Sequence, residues 1–205
     1  MVDLSSFWPD AVADHVDLRD RLLDAYSEPC RGYHNVQHLA EVFERIDMIL
    51  TSGHADDVDR DAVLLAAWFH DAVYDRRGDN EECSAAVAEQ ELARAGISAD
   101  LATEVGRLVR LTATHQVDDD DIAGQVLCDA DLGILAADAD RYAEYTHGVR
   151  REYQHVLEAD FRRGRADILH RLLEAPTLFR TGFAREHWEN RARANVRREL
   201  AVLQA

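Results

Sequence analysis

Apolar residues recur at helical spacing along most of the chain, most clearly in Val36, Leu39, Val42, Phe43, Ile46, Ile49 and Leu50. This stripe predicts an amphipathic helix, and Asn35 just ahead of it is a residue type that caps a helix start. A second helix is expected from Val58 to His70. Its run Val63-Leu64-Leu65-Ala66-Ala67-Trp68-Phe69 is apolar on every side, which predicts a central, buried position. After a polar turn containing Gly78, Asp79 followed three residues later by Glu82 reads as the capping box of a third helix through Ala95, which Gly96 would end. Further helices are expected over 100–114, 122–136, 140–158, 160–174 and 183–203.

No repeat, low-complexity tract or linker divides the sequence, so residues 1–205 read as one domain, long enough to bury a substantial core. Three prolines and ten glycines among 205 residues leave room for long uninterrupted helices, and the expected fold class is all-α. A formal net charge of −17 argues against a nucleic-acid polymer or an anionic membrane surface as partner, because both attract clustered basic residues. Cys30, Cys83 and Cys128 are odd in number and form no C-x-x-C pair, so neither a disulfide framework nor a zinc ribbon is suggested. With no signal-like start and no run of eighteen apolar residues, a cytoplasmic location is expected. Oligomeric state is not legible.

Two polar segments invite a site and read more simply otherwise. Asp118-Asp119-Asp120-Asp121 lacks the alternating ligands, glycine and terminal glutamate of a calcium loop, and fits a solvated turn and helix start. Arg191, Arg193, Arg197 and Arg198 are interspersed with Glu186, Glu189 and Glu199, which predicts a salt-bridged surface helix.

Three other segments carry chemistry. His70-Asp71 ends the most apolar helix, where burying either side chain unpaired would be costly; a metal would resolve that cost, as would an ordinary capped helix end. Tyr33-His34-Asn35-Val36-Gln37-His38 sets two histidines at a helix start. If Asn35 is the cap, His34 lies outside the helix, so the spacing does not require both to hold one ion. Cys128-Asp129-Ala130-Asp131 sets two carboxylates about 200° apart on a helix, so one could ligate while the other caps or holds a neighbouring group.

In the order His, His-Asp, Asp, these residues resemble the HD superfamily of metal-dependent phosphohydrolases. The likeness is closest to a bacterial subgroup of similar length. It extends over Tyr26 with Glu28-Pro29, Tyr33-His34-Asn35 with His38, and Trp68-Phe69-His70-Asp71 with Tyr74. It continues through Asp79-Asn80-Glu81-Glu82 with Ser84-Ala85, Thr114-His115, and Val149-Arg150 with Glu152-Tyr153. Near the end it takes in Glu189, Arg193, Asn195 and Glu199.

The resemblance implies a single helical bundle with a central site for one divalent ion, held by His38, His70, Asp71 and Asp131 rather than Asp129. His and Asp ligands suit Mn, Fe, Co, Ni, Zn and, less well, Mg. The implied activity is hydrolysis of a phosphate ester or anhydride in a small phosphorylated metabolite, nucleotides being the typical class. His34, Glu81 and His115 are candidates for proton transfer or for positioning water. Asn35 and Arg150 are expected to face the substrate, with Arg76 or Arg77 as other candidate cations. Two other functions stay open: a di-iron oxygenase of the same superfamily, which would need further histidines such as His115 and His34, and a non-catalytic domain that binds a ligand in the same pocket.

Overall fold

A computed structural model describes residues 4–53, 55, 58–75 and 78–204, and every regular element among them is helical. The ten α-helices are α1 (Val16–Tyr26), α2 (Val36–Thr51), α3 (Arg60–Phe69), α4 (Asn80–Arg94) and α5 (Ala99–Leu111), followed by α6 (Ile122–Leu132), α7 (Ala139–Glu152), α8 (Glu158–Glu174), α9 (Gly182–His187) and α10 (Glu189–Gln204). Short 3-10 turns cover Leu4–Phe7, Asp10–Val12 and Gly133–Ala136. No helix among the described residues is long and apolar enough to cross a membrane.

The bundle is organised round α3, whose residues from Ala62 to Phe69 are all buried. Having no polar face, α3 must be covered on all sides, and α2, α4, α5 and α6 do so. Helix α2 turns its stripe inward, with Leu39, Val42, Phe43, Ile46 and Ile49 buried. Helix α10 packs against α8 and the Gly133–Ala136 turn, closing the far side. One apolar core results, and the chemistry-bearing residues lie where its helices end.

Local signals explain most boundaries. The Asn35 side chain accepts from the Gln37 and His38 N–H groups and starts α2. After α4, Gly96 takes φ +75°, and its own N–H and that of Ile97 return to the carbonyls of Ala93 and Leu92. Asp121 opens α6 by accepting from Gly124, so the acidic run is a turn and a helix start.

Four expectations need correction. Asp79 stands at the α4 N-cap without a side-chain cap bond; instead Asn80 exchanges hydrogen bonds with the Asp75 backbone. The helix expected over 122–136 leaves α geometry after Leu132. The one expected over 140–158 stops at Glu152, where a turn intervenes before α8. The one expected over 183–203 breaks at Trp188, because Glu189 turns back to accept the Leu178 and Phe179 N–H groups. Helix α1, which no side-chain cap announces, is an addition to the expected set.

Candidate metal centre

Three chain segments deliver the ligand-type side chains. His38 projects from the first turn of α2 and is fully buried. His70 and Asp71 follow the last turn of α3, and Asp131 lies in the last turn of α6. The His70 Nδ1–H donates to the Ala67 carbonyl at 2.7 Å, which leaves Nε2 to face the centre. The turn carrying Asp71 is held by buried Arg31, which donates to the carbonyls of Asp71 at 2.7 Å, Ala72 at 3.2 Å and His34 at 3.0 Å. The Tyr26 hydroxyl accepts the Asp71 N–H at 3.1 Å from the other side.

These side chains converge. His38 Nε2 lies 2.9 Å from His70 Nε2, 3.4 Å from Asp71 Oδ2 and 3.3 Å from Asp131 Oδ1. His70 Nε2 lies 3.2 Å from Asp71 Oδ2 and 3.9 Å from Asp131 Oδ1. Two donor atoms about 2.1 Å from one ion and roughly 90–110° apart stand about 3.0–3.4 Å from each other, close to most of these separations. Two imidazole nitrogens at 2.9 Å cannot both present bare lone pairs, so a proton or a cation must lie between them. Asp71 Oδ2 and His38 Nδ1 are buried without a hydrogen-bond partner, and an unpaired buried carboxylate oxygen is expensive unless a cation meets it. The buried His38, His70 and Asp71 group could therefore hold a metal ion.

Charge supports the same reading. Burial by itself would raise the pKa of Asp71, but the charges of His70 and His34 and the close approach of the His38 and His70 imidazoles hold it well below the usual carboxylate range. Asp131 behaves alike, with the His115 and His38 hydrogen bonds outweighing burial. Burial would lower the pKa of His70, and the Asp71 carboxylate reverses this, raising it to about 9. Two ionised carboxylates thus hold a proton on the imidazole pair, and a divalent cation would displace it.

A second cluster adjoins the first. Glu152, whose side chain is 2% exposed, accepts the Gly32, Tyr33 and His34 N–H groups through Oε1 at 2.7, 2.8 and 3.0 Å. Its Oε2 takes the Tyr74 hydroxyl and His34 Nδ1, both at 2.9 Å. This reach requires backbone contact between the loop and α7. A Cβ on Gly32 would collide with the Gly148 carbonyl oxygen, and one on Gly148 would lie 2.8 Å from the Gly32 oxygen. The His34 ring stacks on Tyr74, and its centroid stands 5.7 Å from that of His38, at the border of the centre.

The expected site residues divide into two sets. His38, His70, Asp71, Asp131 and His115 come together, and His34 borders them. His115 takes a left-handed backbone, φ 54°, just after α5 and sets Nε2 2.9 Å from Asp131 Oδ2. Asp129 points elsewhere, accepting the Arg180 and Thr181 N–H groups ahead of α9. Asn35 is occupied as the α2 cap and donates to the Gly32 carbonyl, a structural use rather than a substrate-facing one. Arg150 is fastened to Glu158 and to the carbonyls of Tyr153 and Val156, which fixes the turn after α7 and keeps its guanidinium from the centre. Glu81, half-buried near Tyr153, makes no hydrogen bond or ion pair among the described residues and is not joined to the cluster. Arg76 and Arg77 lie outside the described residues. Sequence reasoning missed Arg31, and it included Glu152 in a resemblance without a role. The available signal for Arg31 was its place directly before the histidine-rich loop, whereas nothing in sequence ties Glu152 to that loop, some 120 residues away.

Compared with known proteins, the chain matches no protein-family model, no curated protein and no solved structure at a significant level.

Proposed function

We propose that the protein is a metal-dependent hydrolase of phosphate esters or anhydrides in small metabolites, nucleotides being the class most typical of the HD superfamily that the sequence resembles. The observation that carries this reading is the meeting of two Nε2 atoms at 2.9 Å with the Asp71 and Asp131 carboxylates inside an apolar core. His38, His70, Asp71 and Asp131 would hold one divalent ion. Such an ion supplies Lewis acidity toward a phosphoryl oxygen and makes water more acidic. The chain's own residues supply the rest. His115 is positioned by Asp131, and Glu152 orients His34, so each can hold or move a proton at the edge of the centre.

The experiment is elemental analysis of the purified protein, with a turnover screen over nucleotides, sugar phosphates and anhydrides before and after chelation. About one ion per chain is expected. Chelation should remove turnover and lower the melting temperature, because ligand binding stabilises only the folded state. Chelator-resistant turnover by metal-free protein would overturn the reading. One observation favours a second reading: His115 reaches the Asp131 oxygen turned away from His38, as a ligand to a second ion would. Two irons per chain with oxygen consumption would favour a di-iron oxygenase.

A further inference from the structure

The Tyr33 hydroxyl is a buried polar group with no hydrogen-bond partner among the described residues, on a residue 5% exposed. Its ring is wedged between His34, His38 and Tyr145, with centroids at 4.8, 4.7 and 4.6 Å. Arg141 lies over the same ring at 5.8 Å. Packing on so many sides locks both side-chain torsions, so the oxygen has a defined place.

That place borders the centre, because the ring packs on the ligand-type His38, and Arg141 over its face is bound to the same Glu41 carboxylate as Arg45. Arg45 crosses the end of α6 there, donating to the Ala130 carbonyl at 3.3 Å and resting its stem on Gly133. It also donates to Glu41 at 3.1 Å, and Arg141 binds the same carboxylate. These contacts use two of the five N–H groups of Arg45. A phenylalanine at position 33 would keep the ring packing and avoid burying a hydroxyl, so the hydroxyl calls for a use.

We propose that Tyr33 and Arg45 form the oxyanion subsite of the centre, the hydroxyl donating to, and the guanidinium pairing with, a non-bridging oxygen of a phosphoryl group. The inference rests on the hydrolase reading and names its phosphate-facing groups, the role that Arg150 does not fill. A neutral donor and a single cation suit this position, because the Asp71 and Asp131 carboxylates would otherwise repel an anionic ligand.

The test is calorimetric titration of metal-loaded protein with inorganic phosphate, alongside metal content and the melting temperature of the metal-free, phosphate-free protein. Tyr33→Phe should keep its metal and weaken phosphate binding about tenfold, the scale of one hydrogen bond to a charged group. Its melting temperature without ligand should equal or exceed that of the wild type, an outcome that a structural hydrogen bond would not produce. Arg45→Lys, as a second variant, should weaken phosphate by a similar factor with metal retained, since lysine cannot reproduce the fork of donors. Equal phosphate affinity in wild type and both variants overturns the inference and leaves the hydrolase reading untouched. A Tyr33→Phe protein that melts lower and binds phosphate normally overturns it too. Wild-type protein that takes metal but no phosphate also overturns it, while the hydrolase reading is decided separately by the turnover screen.

Discussion

Glu152→Gln replaces a carboxylate that holds five hydrogen atoms by an amide that can accept on one side only. The carbonyl oxygen can keep the three N–H groups of the 32–34 loop, but the NH₂ group faces the donors of His34 and Tyr74. Burial alone would raise the Glu152 pKa; the His34 hydrogen bond and charge, with the Tyr33 and His34 N–H groups, hold it down to about 2. The shift from the ordinary 4.5 corresponds to about 3 kcal/mol of stability at neutral pH. Because the folded pKa is depressed, this contribution is complete above about pH 4.5 and is lost as pH falls toward 2. The amide resembles the protonated acid and lacks that contribution throughout. Urea melts should therefore show the variant about 3 kcal/mol less stable at pH 7 and less stable by roughly half that amount at pH 3. In a domain of this size, the neutral-pH loss lowers the melting temperature by about 6–12 °C. A gap that stays constant with pH, or a variant as stable as the wild type at pH 7, would refute this account of the loop.

Asp131→Asn should lose the bound metal, whereas Asp129→Asn should keep it and melt within a few degrees of the wild type. Burial, against the Thr181 and Arg180 bonds, raises the Asp129 pKa to about 6, so a neutral acceptor suits its place; elemental analysis and a melting curve distinguish the two outcomes. Gly32→Ala forces a Cβ into the Gly148 carbonyl and should cost about 3 kcal/mol in urea melts; a neutral effect would show that the loop can move off α7. Arg150→Ala should leave metal content unchanged and cost about 1 kcal/mol, since it serves a partly exposed ion pair, two turn carbonyls and a stacking contact on Phe161. A raised KM for a phosphorylated substrate would return that arginine to the site.

Legibility tracked the range of the interactions. The all-helical class, the α2 stripe with its Asn35 cap, the buried α3 and the Gly96 stop are set by residues within a turn of one another, so periodicity and residue type reveal them. The convergence of His38, His70, Asp71 and Asp131 joins three helices, and spacing within one segment cannot show it; their order along the chain supplied the expectation. What failed depended on side chains that reach several residues along the chain to close a turn: residue type and periodicity do not say that Arg150 bonds Glu158, or that Glu189 reaches back to Leu178. Polar residue types do not reveal whether their capacity is already used: Asn35 is engaged through both its oxygen and its nitrogen, whereas the Tyr33 hydroxyl is not.

The loop over residues 31–35 shows how a buried centre is kept rigid without regular structure around it. A loop has backbone donors and acceptors that no helix pairs, and burying them bare would cost more than the packing returns. Here the two kinds of group are met by side chains of opposite charge. Glu152 collects the N–H groups of Gly32, Tyr33 and His34, and Arg31 collects the carbonyls of His34, Asp71 and Ala72. Because Arg31 bonds both the loop and the turn that carries Asp71, the two cannot shift independently. The Tyr33 ring completes the junction by packing on His34 and His38 together. Preorganisation of the centre thus rests on two buried charges that touch none of the four ligand side chains. Damage to either should loosen His34 and the His-Asp turn together rather than remove one ligand, which makes position and not composition the quantity that this part of the chain controls.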